Sequence, residues 1–358
     1  MFRARPTPST ADAPPRKLAV IPGSREDGCR NDDSKFNSKQ VLIMPVVLDP
    51  DAAAVYAAFQ AAGRPPYESV SPAEAREFYR QARFVSNPEP PELKSVQALA
   101  IPAPHGNTPA RVYTPKTLRQ AGGLAPCLVF FHGGGWVIGD LDSHDVVCRT
   151  LAHEGELIVI AVDYRLSPEA KFPAAVNDAI GATAWVSSNA KQLGIDATRI
   201  MVGGDSAGGN LAAVVSIHAR DNGKPKIAGQ VLIYPGTDFR MTHPSHREPE
   251  TSILLTHSVI RWFKDHYLNG PADIDDWRAS PARVENLAGL PPAYVLTAGA
   301  DPLRDEGDEY ATRLKEAGVP VTYKNYPGQF HGFFTMGKLL PQANVAAREI
   351  GAWLKALN

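Results

Sequence analysis

Nine residues, Val202-Gly203-Gly204-Asp205-Ser206-Ala207-Gly208-Gly209-Asn210, leave the chain few ways to fold around them. The run Ile200-Met201-Val202 reads as a short buried strand. Residues 210–217 read as a helix so apolar that it must be largely covered. Between the two the backbone reverses within a few residues, with Ser206 at the tip. Gly204 and Gly208 flank it and carry no Cβ where strand and helix nearly touch. A G-x-S-x-G turn of this kind strains one residue so that its hydroxyl stands free at the carboxyl end of a sheet. The pattern alone is weak in a Gly-rich chain. Its weight comes from its place between strand and helix, and from partners elsewhere in the sequence.

From Pro126 onward, apolar strands and helices alternate. Residues 127–131 and 157–162 are continuous apolar runs, as expected of strands covered on both faces. A helix is predicted over 173–193, strands at 200–203, 227–234 and 293–298, a helix over 304–317 and a strand at 321–326. After Pro341 a last helix aligns Ala346, Ile350, Trp353, Leu354 and Leu357 on one stripe. This alternation predicts an α/β fold, a mostly parallel central sheet flanked by helices on both sides. Ahead of it, Asp49-Pro50-Asp51 and Ser71-Pro72-Ala73-Glu74 are helix starts for 52–62 and 75–84. Residues 96–101 and 110–113 then read as a pair of edge strands, joined by a turn over 104–108.

Residues 238–281 break the alternation with charges, prolines and histidines, then an amphipathic stretch around Ile260, Trp262, Phe263 and Tyr267. An insertion at that point lies over the carboxyl ends of the strands, where α/β sheets hold their ligands. The expectation is a lid made from it and the two N-terminal helices; a surface embellishment is the plain alternative. The chain thus divides into N-terminal cap helices (44–92), a core (93–237 and 282–358) and a cap insertion (238–281). Residues 1–43, rich in Pro, Ser, Arg and Asp, read as a disordered tail, with Met44 an expected alternative start of translation.

Charge is nearly balanced, 37 Lys+Arg against 38 Asp+Glu, and no basic stripe supports nucleic-acid binding. No apolar run approaches the ~20 residues of a membrane span, and the tail has no secretion-signal core. Cys29, Cys127 and Cys148 are too few and too scattered for a disulfide framework or a zinc cage, which fits a cytoplasmic setting. His243-Pro244-Ser245-His246 has metal-like spacing but lacks a completing Cys or carboxylate, so no metal site is assigned.

An alcohol is a poor nucleophile near neutral pH. Ser206 therefore needs a base within hydrogen-bond reach and an acid to orient that base. On a sheet of this type the order along the chain is Ser, acid, His. Asp301 follows the strand 293–298, and His331 follows the strand 321–326. The alternatives are a helix N-cap for Asp301 and a surface-loop histidine for His331. Asp305, Glu306 and Asp308 fall inside the helix and read as a solvated face. An oxyanion needs preorganised N–H donors. His132-Gly133-Gly134-Gly135-Trp136, just after the strand 127–131, is the loop that would supply them, with Ala207 at the helix start. Trp136 and Phe334 are placed to line an acyl pocket, with core packing as the alternative. Asp205 either polarises the site or bonds to the loop, and Glu169 and Asp178 anchor loops.

HGGGW, YRLSPE with FPAA close behind, GDSAGGN, DPLRDEG and FHGF occur in this order. Together they resemble the hormone-sensitive-lipase-like (bacterial family IV) esterases, in the subgroup with GDSAG at the turn. The resemblance covers residues 45 to 358. It implies the α/β-hydrolase fold with a helical cap, a triad of Ser206, Asp301 and His331, and oxyanion donors Gly134, Gly135 and Ala207. It also implies that His132 braces its loop, that short- to medium-chain esters are cleaved without a cofactor, and that the chain pairs as a homodimer. Activity is expected to fade in acid as His331 takes a proton. An amide, formamide or lactone substrate on the same groups, or a receptor that keeps the pocket without turnover, are the competing readings.

Overall fold

The computed structural model describes residues 46–357; the expectations for the 1–43 tail and for Met44 lie outside them. The elements are α1 (Pro50–Ala61), α2 (Pro72–Ser86), β1 (Ser95–Ala103), β2 (Gly106–Thr114), β3 (Ala125–Phe131), α3 (Asp145–Gly155), β4 (Ile158–Val162) and α4 (Ala174–Ser188). They continue with β5 (Ile195–Asp205), α5 (Ala207–Asn222), β6 (Gly229–Ile233), α6 (His257–Tyr267), β7 (Ala293–Ala300), α7 (Arg304–Glu316), β8 (Val321–Phe330) and α8 (Pro341–Ala356). One eight-stranded sheet runs in the order β1-β2-β4-β3-β5-β6-β7-β8. β2 is antiparallel to β1 and β4, and every other neighbouring pair is parallel.

The strands β3, β4, β6 and β7 are buried at every position, in keeping with a mostly apolar sequence that Gln230 and Thr297 interrupt. Alternate residues serve opposite cores. Val129, Phe131 and Val202 pack with Val176, Leu211 and Leu314 of α4, α5 and α7. Leu128, Phe130 and Met201 pack with Leu151, Ile350 and Leu354 of α3 and α8. A third apolar cluster joins Ala75 of α2 to Ile138, Met241, Leu255, Ile260 and Phe263. Thus α2 and α6 pack into one cluster with the loop that follows β3.

Several boundaries differ from those the sequence suggests. β2 is internal, and only β1 of that hairpin lies at the edge. α4 stops at Ser188, where Asn189 turns its amide back to the Trp185 carbonyl at 2.8 Å. The helix α3 was not anticipated. Its stripe of Val147, Cys148, Leu151 and Ala152 is interleaved with Asp145, Arg149 and Thr150, which blurs the period. The α2 start is a full capping box, with Ser71 accepting from the Glu74 backbone N–H. Asp49 makes no such cap on α1. Its N–H donates to the Gly328 carbonyl at 2.9 Å and its carboxylate accepts from Gln329 at 2.9 Å, so it ties α1 to β8.

Candidate active site

The site is assembled at the carboxyl ends of β3, β5, β7 and β8. Ser206 caps α5 with φ 55° and ψ −117°, a left-handed conformation that a non-glycine residue adopts only when its surroundings impose it. They do so here. Its N–H donates to the Ile233 carbonyl at 2.8 Å. A Cβ at Gly204 or Gly208 would overlap the Phe131 carbonyl, so the turn closes only with glycine on both sides.

β8 runs four residues past its expected end at 326, to Phe330, and after a register shift Phe330 pairs with Ala300. His331 and Asp301 are therefore neighbours despite lying 30 residues apart. His331 Nδ1 is 2.7 Å from Asp301 Oδ2, and His331 Nε2 is 2.9 Å from Ser206 Oγ. An ionised carboxylate only accepts, so Nδ1 carries the proton and Nε2 is left to accept the serine hydroxyl. Asp301 is fully buried, and its other oxygen accepts the Leu303 N–H at 2.8 Å, which fixes its plane. The Tyr234 ring lies 4.7 Å from the imidazole.

The glycine loop after β3 lies against the same space. Gly133 N–H donates to Asp205 Oδ1 at 2.8 Å, and the Gly134 carbonyl accepts from Val137 and Ile138 at 3.1 and 2.9 Å. No hydrogen bond among the described residues uses the N–H of Gly134, Gly135 or Ala207. All three residues line the cavity that contains Ser206. Of the two readings of Asp205, the structure displays the bond to the loop, with His144 Nε2 3.2 Å from the same oxygen. Burial alone would push its carboxyl up, but His144 and the Gly133 N–H hold it below its ordinary value. His132 stacks on Tyr164 at 4.3 Å, and its ring Nδ1 is 2.8 Å from the Gly133 carbonyl. Burial pulls its imidazole down to about 4, so it braces the loop as a neutral ring.

A cavity of about 410 Å³ opens above Ser206, between residues 56–83 on one side and 238–263 on the other. Trp136 both lines it and packs, stacking on Tyr267 at 4.4 Å. Phe334 does not reach it. The turn after His331 directs this ring into the opposite core, against a small separate recess beside Val147 and Ala347. Glu306 is a second correction, since it is 2 % exposed and lies on the cavity wall. It shares the helical stripe of Leu303, Tyr310 and Leu314, a spacing that could have revealed it. Its carboxylate meets His246 Nε2 at 2.9 Å and accepts the N–H groups of Thr237 and Asp238. Burial raises the Glu306 carboxyl; burial also opposes the charged His246 imidazole, but the Glu306 contact, with His243 and Asp301, leaves it raised. Glu169 pairs with Arg76 at 2.6 Å and Asp178 with Arg165 at 2.8 Å, both holding loops. Among the described residues no group of three or more His, Cys, Asp or Glu is placed to hold a metal. No described helix is long and apolar enough to cross a membrane.

A mostly parallel sheet with a serine, a histidine and an aspartate converging past its strand ends defines an α/β hydrolase. The chain belongs to that family: residues 128–335 match the family described by the alpha/beta hydrolase fold. It is 45 % identical to Esterase LipI of Mycobacterium tuberculosis, over 72 % of this chain and 81 % of that protein. It is 38 % identical to an ethyl acetate hydrolase of Pseudomonas putida, over 83 % of this chain and 95 % of the other. Among solved structures, it resembles an ester hydrolase from the metagenome of Lake Arreo, complexed with a derivative of bipyridine phosphonate. There the TM-score is 0.83 and the identity 41 %, covering 87 % of this chain and 99 % of that one. An esterase from Pyrobaculum calidifontis gives a TM-score of 0.79 at 38 % identity, over 88 % and 99 % of the two chains.

Proposed function

We propose that the chain hydrolyses carboxylic esters through an acyl-enzyme on Ser206, as a hormone-sensitive-lipase-like esterase. The observation that carries this reading is the pair of contacts at His331, 2.9 Å to the Ser206 hydroxyl and 2.7 Å to the buried Asp301. Ser206 Oγ attacks the ester carbonyl while His331 Nε2 takes its proton. The oxyanion that forms is held by the N–H groups of Gly134, Gly135 and Ala207, with the α5 dipole behind Ala207. His331 then passes its proton to the departing alcohol, and afterwards activates the water that frees the acid. Asp301 keeps the proton on Nδ1 and stabilises the imidazolium.

Residues 46–92, the described part of the 44–92 segment, and 238–281 act as the cap. Support comes from the Ser258 hydroxyl donating to Glu68 at 2.6 Å and from Phe263 facing Tyr67 at 6.4 Å above the cavity. The apolar wall of Leu254, Leu255, Val259, Ile260 and Phe263 suits short- to medium-chain acyl groups. Pairing as a homodimer and a cytoplasmic location complete the reading. The first rests on the family resemblance, the second on the sparse cysteines, and sedimentation velocity and cell fractionation test them.

A chromogenic series from acetate to palmitate is the test. Turnover is expected to peak at the short to middle chains, and Ser206→Ala is expected to lose at least about 1,000-fold in kcat. Full activity in Ser206→Ala, or no turnover of any member by the wild type, would refute the proposal.

A further inference from the structure

Three arginines lie along α2, and they are not treated alike. Arg76 pairs with Glu169 at 2.6 Å, and Arg80 with Glu77 at 2.7 Å and Asp140 at 3.0 Å, although 23 % and 40 % of their side chains remain exposed. Arg83 is the buried one, 6 % exposed, and among the described residues it faces no carboxylate. Its Nη1 donates to the Thr335 hydroxyl and, at 3.5 Å, to the Thr335 carbonyl. The guanidinium lies over the Tyr79 ring, 4.7 Å from its centroid. Its Nε is buried without a hydrogen-bond partner.

A hydroxyl, a carbonyl and a ring face replace only part of the hydration that a buried cation gives up; an anion completes the set. Among the described residues no carboxylate is free to supply one. Arg83 lines the same cavity as Ser206, and the carboxylates on that wall are all engaged elsewhere. Asp205 holds Gly133 and His144, Asp238 holds Arg240, and Glu306 holds His246. The tether is also informative. Thr335 lies on the turn that follows His331, and its hydroxyl bonds back to the Gly332 carbonyl at 2.9 Å. The unpaired cation is thus held beside the loop that carries the proposed base.

We propose that Arg83 recognises a carboxylate on the substrate, so that the preferred esters carry a free carboxylate besides the bond that is cleaved. Nε and the free edge of the guanidinium donate to it as a planar fork. The carboxylate sits on either the acid half or the alcohol half of the ester, and the two arms of the test separate these. The inference rests on the ester-hydrolase reading.

The test measures kcat/KM for matched pairs. The first arm sets monoethyl succinate, glutarate and adipate against uncharged ethyl esters of similar length. The second sets O-acetyl-3-hydroxybutyrate against sec-butyl acetate. The quantity read is the ratio of charged to uncharged ester. In one arm the wild type is expected to turn over the charged ester at least as well as its partner. Arg83→Met is expected to lower that ratio at least about tenfold, and Arg83→Lys by less. A ratio that stays within about twofold in both arms overturns the proposal. So does a wild-type ratio below about a tenth in both arms, which needs no variant to fold. Failure to cleave the uncharged esters as well would refute the ester-hydrolase reading instead.

Discussion

His132 makes the plainest residue-scale case of a side chain whose charge is decided by its surroundings. It is 2 % exposed, stacked on Tyr164, and its Nε2 has no hydrogen-bond partner among the described residues, the nearest carboxylate, Asp163, lying 4.0 Å away. In the folded protein it stays neutral down to about 4, whereas in the unfolded chain it takes a proton below about 6.5. Between these values the unfolded state binds more protons, so stability rises with pH. Lowering the pH from 7 to 4 is therefore expected to remove about 3 kcal/mol through this residue. Urea unfolding of the wild type and His132→Gln across that range checks it, since the wild type is expected to lose about 3 kcal/mol more than the variant between pH 7 and 4. Ser206, Asp301 and His331 were legible as single residues because each follows a predicted strand, in the chain order that a sheet of this type requires. Phe334 and Glu306 were not. Which way a turn or a helix face points is settled by packing against distant elements, and a local motif carries no record of it.

Among the elements, the turn from β5 into α5 dictates most. Phe131 of β3 presses its carbonyl against Gly208, so the sheet, the turn and the helix share a single close contact. A Cβ at position 208 would meet backbone atoms of both Phe131 and His132, which have no rotamer to change. Gly208→Ala is expected to cost about 2 kcal/mol or more and to displace Ser206 from the glycine loop. Thermal unfolding and kcat/KM should fall together; an unchanged melting temperature would contradict the packing described. The order of the strands from β3 onward was readable because the buried strands are mostly apolar runs, whereas α3, between β3 and β4, was not. The extension of β8 to Phe330 was not, since residues 327–329 carry a proline, a glycine and a glutamine whose pairing depends on the register shift in β7. That extension sets the distance between Asp301 and His331.

For the whole molecule, two cores on opposite faces of one sheet fix the strand ends, and the third cluster encloses the space above them. The rigid part positions the reacting groups; the helices α1, α2 and α6 shape what reaches them. α1 belongs to both, because Ala52 and Val55 pack in the core with Phe330 and Met336 while Tyr56 and Phe59 border the cavity. The alternation of the sequence made the sheet visible. The cavity is built from segments nearly 200 residues apart, which no window along the chain can relate.

The central claim is that Ser206 alone becomes acylated, and intact mass after treatment with an organophosphonate addresses it most directly. The wild type is expected to gain a single phosphonyl adduct and lose activity in step with it, while Ser206→Ala gains none. An adduct of equal yield on Ser206→Ala would contradict the account.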